Sequence, residues 1–272
     1  MDGVDEYIEA NRAHWDEVVA PHRAGDFYDV EGFIAGKPRL DPLVREALGE
    51  IEGGKVLHLQ CHFGLDTLDL ARLGALPVGV DFSARAVEAA RELAAETGLK
   101  ARFVQAAVGE VQRTLGETFE LVFTSYGVLT WLPELTSWAR DIATCLDPGG
   151  RVVVIDSHPT SMVFDDERRD GELRVRYPYF ETTAMRFREQ ATYAVGGLAL
   201  EHDVTYEWMH AIEEIVMSLL EAGLRLTVLR EYPFAAWRMY PFLERGEDGF
   251  WRLPDGRRDI PLLLRVEAVK PE

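Results

Sequence analysis

A glycine and an aspartate separated by 17 positions form the first pattern that indicates chemistry. Gly64 lies in a turn that follows the short apolar run at residues 55–60, and Asp81 ends the next apolar run, at residues 76–80. In parallel α/β sheets, ligands bind at the carboxyl ends of the strands, and an acid at the second strand tip accepts hydrogen bonds from ribose hydroxyls. The spacing therefore favours a ligand that contains adenosine.

The first strand and the turn after it contain three residues of the types that bind metals: His58, Cys61 and His62. Successive residues of a strand face opposite sides of the sheet, and no further acid or cysteine nearby completes a tetrahedral ligand set. We therefore expect no metal here. His58 lies within the strand, where a hydrogen-bonded core histidine is the simpler interpretation.

The elements that must position these residues alternate between strands and helices. Five apolar runs, rich in β-branched residues and separated by helical patterns, predict buried parallel strands with helices on both faces of the sheet; they lie at residues 55–60, 76–80, 101–105, 119–125 and 151–156. Two final runs, at 224–231 and 261–269, have no helix between them and are expected to pair antiparallel. The sequence thus predicts an α/β fold with a seven-stranded, mostly parallel sheet whose last strand is antiparallel.

Two helices are predicted before the first strand and an insertion after the fifth. A one-sided apolar stripe at residues 7–19 indicates a packing or lid helix that ends at Pro21, and Asp41-Pro42 announces a second helix that Gly53-Gly54 stops. Residues 157–207 are rich in aromatic side chains and alternate with period two, which predicts a β-hairpin turning at Gly196-Gly197.

Composition excludes several classes of protein. The 29 basic and 47 acidic residues give a net charge of −18 without a basic stripe, so nucleic acid is not an expected partner. No apolar stretch approaches the roughly 18 residues that cross a bilayer, and the chain starts acidic. Two cysteines form no disulfide framework, so a cytoplasmic location is expected, with no membrane partner.

The chain resembles the class I S-adenosylmethionine-dependent methyltransferases. More narrowly, it resembles the bacterial small-molecule members whose first motif reads L-H-L-Q-C-H-F-G. The resemblance covers nearly all of residues 10–270 and depends on the stretches 57–64, 78–83, 103–107, 124–133 and 146–150. It departs from the general class pattern in two places. His58, Gln60 and His62 replace an acid and two glycines, and residues 105–107 lack the usual aspartate near the adenine.

The resemblance implies a Rossmann-like fold, S-adenosylmethionine as cofactor and a small-molecule substrate. It implies a lid segment at residues 1–52 and a methyltransferase domain at 53–272, in which 157–207 cap the substrate. A homodimer formed through this exposed insertion is left open. The implied cofactor-binding residues are Tyr28, Phe33, Gln60, Cys61, His62, Gly64, Asp81, Phe82, Ala107, Val108, Ser125 and Tyr126.

Methyl transfer to oxygen, nitrogen or carbon requires alignment of a nucleophile, with a base only where a proton must leave. His158 follows the fifth strand tip and is the leading candidate, with Tyr126 and His210 as further catalytic candidates. Two alternatives stay open. One is a protein that binds S-adenosylmethionine without catalysis; the other is a nicotinamide-dependent dehydrogenase, although its G-x-G-x-x-G turn is absent.

Overall fold

The structure, a computed structural model, describes residues 2–188, 192, 194 and 199–272. Among these residues the strands are β1 (Lys55–Leu59), β2 (Leu76–Asp81), β3 (Arg102–Gln105), β4 (Phe119–Ser125), β5 (Leu146–Ser157), β6 (Met185–Arg188), β7 (Val204–Glu207), β8 (Arg225–Tyr232), β9 (Glu244–Arg245), β10 (Trp251–Arg252) and β11 (Leu263–Val269). The α-helices there are α1 (Asp2–Ala24), α2 (Val30–Ile34), α3 (Pro42–Leu48), α4 (Leu65–Arg72), α5 (Ala84–Thr97), α6 (Val111–Leu115), α7 (Thr136–Cys145) and α8 (Ile212–Glu221).

Seven strands of the described chain form one sheet in the order β3-β2-β1-β4-β5-β11-β8. The first five strands are parallel, and β11 pairs antiparallel with both β5 and β8. This confirms the predicted mixed sheet and its antiparallel last strand. The strand order reverses between β1 and β4, where such sheets bind their ligands.

Both faces of the sheet are buried, as the nearly continuous apolar runs predict. One face packs on α6, α7 and α8 around the fully buried Trp138 and Ile142, whereas the other packs on α3, α4 and α5. Ser83 begins α5 as predicted, because its side chain accepts a hydrogen bond from the Ala86 N–H, and Gly98 ends that helix in the left-handed region.

Two predicted helix ends were wrong. Helix α1 continues through Pro21 to Ala24, since a proline near the end of a helix removes only one backbone hydrogen bond from the last turns. Helix α3 begins at the predicted Asp41 cap but ends at Gly49, whose φ of 58° terminates it before Gly53-Gly54. Ile51 lies beyond the end of the helix and is buried.

Two connections rise from the carboxyl edge of the sheet, and together we call them the cap. The first, the insert at 157–207, contains the predicted hairpin as the antiparallel pair β6 and β7; its Gly196-Gly197 turn lies outside the described residues. The second, at 233–262, joins β8 to β11 and was not predicted as a structural unit. Among the described residues, no helix is long and apolar enough to cross a membrane.

Candidate functional site

A cavity of about 1530 Å³ opens at the carboxyl ends of β1, β2, β3 and β4. Its walls include α1, the 26–41 segment and both parts of the cap. The structure brings all twelve residues predicted to bind the cofactor to this cavity: Tyr28, Phe33, Gln60, Cys61, His62, Gly64, Asp81, Phe82, Ala107, Val108, Ser125 and Tyr126.

The turn after β1 bends through residues in the left-handed region. Gln60 and His62 have φ values of 52° and 49°, and Gly64 has 82°. Gln60 and His62 therefore adopt a backbone conformation that usually favours glycine. Gly64 must stay a glycine, because a Cβ there would lie 2.5 Å from Phe103 Cε1 and 2.9 Å from Ala90 Cβ.

Asp81 ties the turn to the end of β2. Its Oδ2 accepts a hydrogen bond from the His62 backbone N–H at 2.7 Å, and its Oδ1 accepts one from the Ser83 N–H at 2.9 Å. Burial raises the pKa of this carboxyl to about 6 despite these bonds. Each carboxylate oxygen has more than one lone pair, so the group can accept further hydrogen bonds from a ligand in the cavity.

Gln60 offers an unused acceptor at the same place. Its Nε2 donates to the Val128 carbonyl at 2.8 Å, whereas its buried Oε1 has no hydrogen-bond partner among the described residues. A buried polar atom without a partner is costly and indicates a missing ligand or water. An ammonium group is a suitable partner for this oxygen.

Helix α1 and the insert close the cavity around the turn. His22 Nδ1 lies 3.1 Å from His62 Nε2, and His22 Nε2 lies 2.7 Å from the hydroxyl of Thr192 in the insert. The Trp15 ring meets the His62 ring edge-on, with 5.1 Å between centroids. Burial lowers the pKa of His22 to about 4 and that of His62 well below its usual value, so both rings are neutral at pH 7.

The segment before α3 brings charged groups to the cavity. The buried Asp69 holds this segment, because its Oδ2 accepts from the Arg39 and Leu40 N–H groups at 2.8 and 2.9 Å. Arg39 in turn pairs with Asp66, with 3.4 Å between Nε and Oδ1. Asp41 both caps α3 and accepts a hydrogen bond from the Tyr126 hydroxyl. Burial raises the pKa of Tyr126 well above its usual value.

The three predicted catalytic residues separate in the structure. Tyr126 lines the cavity, but His158 and His210 do not. His158 is 1% exposed, with Nδ1 accepting from the Thr160 N–H and Nε2 lying 2.8 Å from Glu231 Oε1. His210 Nε2 lies 2.8 Å from the Leu132 carbonyl oxygen. Both histidines thus join separate segments of the chain, and neither lines the cavity.

Other polar residues of the sequence have structural partners. The His58 ring is buried and bonds the Thr67 hydroxyl at 2.8 Å, as expected of a core histidine. Asp156 accepts hydrogen bonds from the backbone N–H groups of residues 127–129 and so holds the loop after β4. Within the described ranges, no group of three or more His, Cys, Asp or Glu side chains could hold a metal ion.

The second cap segment was not predicted as part of the site. Its Trp237, Arg245 and Trp251 line the cavity. The signal was present, because residues 232–251 contain seven aromatic side chains, as many as the whole 157–207 insert, which was expected to cap the substrate.

Comparison with known proteins agrees with this architecture. Residues 56–150 match the family described as methyltransferase domain. The ubiquinone biosynthesis O-methyltransferase of Klebsiella pneumoniae subsp. pneumoniae is 31% identical over 133 residues, which are 47% of this chain and 54% of that protein. The chain thus spans about half the length of the curated relatives it matches.

Solved structures share the fold over most of the chain. An S-adenosylmethionine-dependent methyltransferase from Mesorhizobium loti has a TM-score of 0.58 and 17% identity, covering 87% of this chain and all of that one. A glycopeptide N-methyltransferase solved with S-adenosyl-L-methionine has a TM-score of 0.54 and 18% identity, with 84% and 86% covered. Residues 56–150 thus match a methyltransferase domain, and the chain shares the fold of these S-adenosylmethionine-dependent methyltransferase structures.

Proposed function

We propose that this protein transfers a methyl group from S-adenosylmethionine to a small molecule. The observation that carries the proposal is the meeting of the Gln60–Gly64 turn and the Asp81 carboxylate at one large cavity. The match of residues 56–150 to methyltransferase domains supports this chemistry over that of a nicotinamide-dependent dehydrogenase.

The residues at the cavity suit the three parts of this cofactor. The Asp81 carboxylate would accept hydrogen bonds from the ribose hydroxyls, and Gln60 Oε1 would accept one from the ammonium group. Ala107 and Val108 would hold the adenine through backbone groups and apolar contact. When bound, the cofactor supplies a methyl group activated by a sulfonium.

The chain itself has to orient the acceptor and exclude water. Helix α1 and the insert, joined through His22 and Thr192, cover the turn after β1 and keep this end of the cavity dry. Tyr126 has a raised pKa and donates its one hydroxyl hydrogen to Asp41, so at neutral pH it does not act as a base. We assign His158 and His210 positioning roles, because both lie outside the cavity.

The finer parts of the proposal concern organisation and substrate. Residues 1–52 would act as a lid segment on a methyltransferase domain at 53–272, with the 157–207 insert over the substrate. The name of the Klebsiella relative refers to O-methylation, which makes oxygen the acceptor atom to test first.

The two free, buried cysteines suit a reducing cytoplasm. Pairing of two copies through the insert is part of the proposal.

Calorimetric titration with S-adenosylmethionine, S-adenosylhomocysteine and NAD tests the cofactor. We expect both sulfur cofactors to bind and NAD not to bind. Binding of NAD alone would reverse the proposal in favour of a dehydrogenase. Incubation with S-adenosylmethionine and a metabolite library, followed by mass spectrometry, then tests transfer. If the cofactor binds but no library compound gains a methyl group, the protein is better described as a non-catalytic binder.

A further inference from the structure

We propose that the methyl acceptor is an uncharged, planar aromatic molecule bound between aromatic side chains of the cap. This inference rests on the proposed function, because it concerns the same cavity. The cavity, at about 1530 Å³, exceeds the roughly 300–1000 Å³ that one small ligand usually occupies. The cap half therefore has room for an acceptor beside the cofactor.

The cap lines its half of the cavity with partly exposed aromatic rings. Phe164, Tyr177, Phe187, Trp237 and Trp251 all line the cavity and are only half-buried. Tyr177 and Phe187, both in the insert, meet edge-to-face with 5.6 Å between centroids. Partly exposed rings around one space favour a planar π-system, since stacked and edge-to-face aromatic contacts add to the hydrophobic gain.

Methionines complete this surface. Four of the six methionines in the chain line the cavity, namely Met162, Met185, Met209 and Met239. Methionine is flexible and its sulfur makes favourable contacts with aromatic rings, so these side chains can adapt to the edge of a flat ligand. This composition does not suit a sugar or another strongly hydrated acceptor.

The charged cap side chains that the structure describes along the cavity already have partners; Glu207, for example, accepts a hydrogen bond from the Thr130 hydroxyl. Asp248 pairs with Arg252, with 2.8 Å between Oδ1 and Nη1, and the Asp166 carboxylate lies 3.4 Å from the Tyr177 hydroxyl. The guanidinium groups of Arg238 and Arg245 bond backbone carbonyls and lie 5.6 and 6.0 Å from the Trp251 ring centroid. A charged acceptor would have to break these contacts, whereas a neutral one would not.

Trp237 links this aromatic surface to the reacting end of the cavity. Its ring meets the Tyr126 ring edge-to-face, with 5.8 Å between centroids, at the tip of β4. An aromatic acceptor packed on Trp237 would therefore lie next to the residues proposed to hold the cofactor. From this position Trp237 determines the specificity for an aromatic methyl acceptor.

Calorimetry on the whole protein saturated with S-adenosylhomocysteine tests the inference with matched probes. The probes are 2-naphthol, its saturated analogue decahydro-2-naphthol, the cationic spermidine and the anionic glutarate. We expect 2-naphthol to bind about tenfold more tightly than the saturated analogue, from two or three aromatic contacts. Trp237→Leu and, separately, Phe187→Leu are expected to reduce that preference to about threefold or less. Trp237→Phe keeps a ring and should retain most of it.

Phe180→Leu is the matched control, because Phe180 belongs to the insert but is 82% exposed and lies outside the cavity. It should keep the wild-type preference. Equal binding of the saturated analogue, or tighter binding of spermidine or glutarate than of 2-naphthol, would overturn the inference while leaving the proposed function intact. Failure of S-adenosylhomocysteine itself to bind would instead overturn the proposed function, and the inference with it.

Discussion

The Asp81 carboxylate accepts a hydrogen bond from the His62 backbone N–H, with 2.7 Å between Oδ2 and N. One carboxylate thereby joins the tip of β2 to the turn after β1. The same group is the one proposed to hold the ribose, so its chemistry can be separated from its structural role by conservative substitution.

Asp81→Asn should weaken S-adenosylhomocysteine binding by about 10- to 150-fold, because hydrogen bonds to a charged group contribute roughly 1.5–3 kcal/mol. The asparagine carbonyl can still accept from the His62 N–H, so the fold is expected to persist. Calorimetry gives the affinity and thermal unfolding checks the fold. Asp255→Asn, at an exposed position outside the cavity, should match wild type. Equal affinity in both variants would remove Asp81 from the binding site.

The affinity for S-adenosylhomocysteine should depend on pH through the same carboxyl. Its pKa of about 6 means that the group becomes protonated as the pH falls from 7 to 5. Since the ribose requires the ionised acceptor, affinity should fall about tenfold over that range. Neighbouring His22 has a pKa of about 4 and titrates below it. Asp81→Asn should give a flat profile; a slope that survives in this variant would assign the effect to another group.

Unfolding should show the opposite trend for Asp81. Its pKa is raised in the folded state, so between pH 4 and 6 the folded protein binds more protons than the unfolded one at this site. The contribution of Asp81 to the free energy of unfolding therefore decreases as the pH rises through that window. Subtracting the Asp81→Asn profile from that of wild type in chemical denaturation isolates the effect.

Gly64→Ala should destabilise the protein by about 2–4 kcal/mol, because the new Cβ would clash with Phe103 and Ala90 at a positive φ. Gly98→Ala is the matched control. It has a φ of 68° but nothing within 4 Å of the new Cβ, so it should lose only about 1 kcal/mol. Urea denaturation measures both. Equal losses would mean that backbone strain, not packing, requires glycine at Gly64.

Gln60→Met should weaken the binding of the amino-acid end of the cofactor without affecting that of the adenosine end. It removes the unpartnered Oε1, together with the Nε2 bond to Val128, with little change in volume, so S-adenosylhomocysteine should bind about tenfold more weakly. Methylthioadenosine, which lacks the amino-acid end, should bind this variant as it binds wild type. Gln112→Met, outside the cavity, controls for the substitution itself. Equal weakening for both ligands would place Gln60 against the adenosine instead.

Most of the sheet could be predicted from the sequence because its strands are buried on both faces and bounded by turn signals. The start of α5 could also be predicted, because Ser83 is a residue type that caps helix N-termini. The end of α1 could not, since the cost of Pro21 depends on where in the helix it falls. The second cap segment was missed because its fold depends on contacts with the distant insert, such as the hydrogen bond from the Tyr240 hydroxyl to the Ser161 carbonyl.

The residues that meet at the cavity were easier to predict than the position of His158, for a geometric reason. Strand tips at one edge of a parallel sheet must converge, so Asp81 and the turn after β1 could be placed from topology alone. His158 also follows a strand tip, but its side chain points to Glu231 on β8. The direction of a side chain just beyond a strand depends on the course of the next loop, which the sequence pattern does not specify.

The two connections of the cap share a hydrophobic core of their own. Ala235, Tyr240 and Leu262 are at most 2% exposed and pack with Phe164 and Leu173 of the insert. Neither connection can be exchanged alone, because a chimaera with a foreign insert would leave half of this core without its partner. Transferring a substrate preference from one relative to another therefore requires that both connections be exchanged together, while the sheet edge beneath them is kept unchanged.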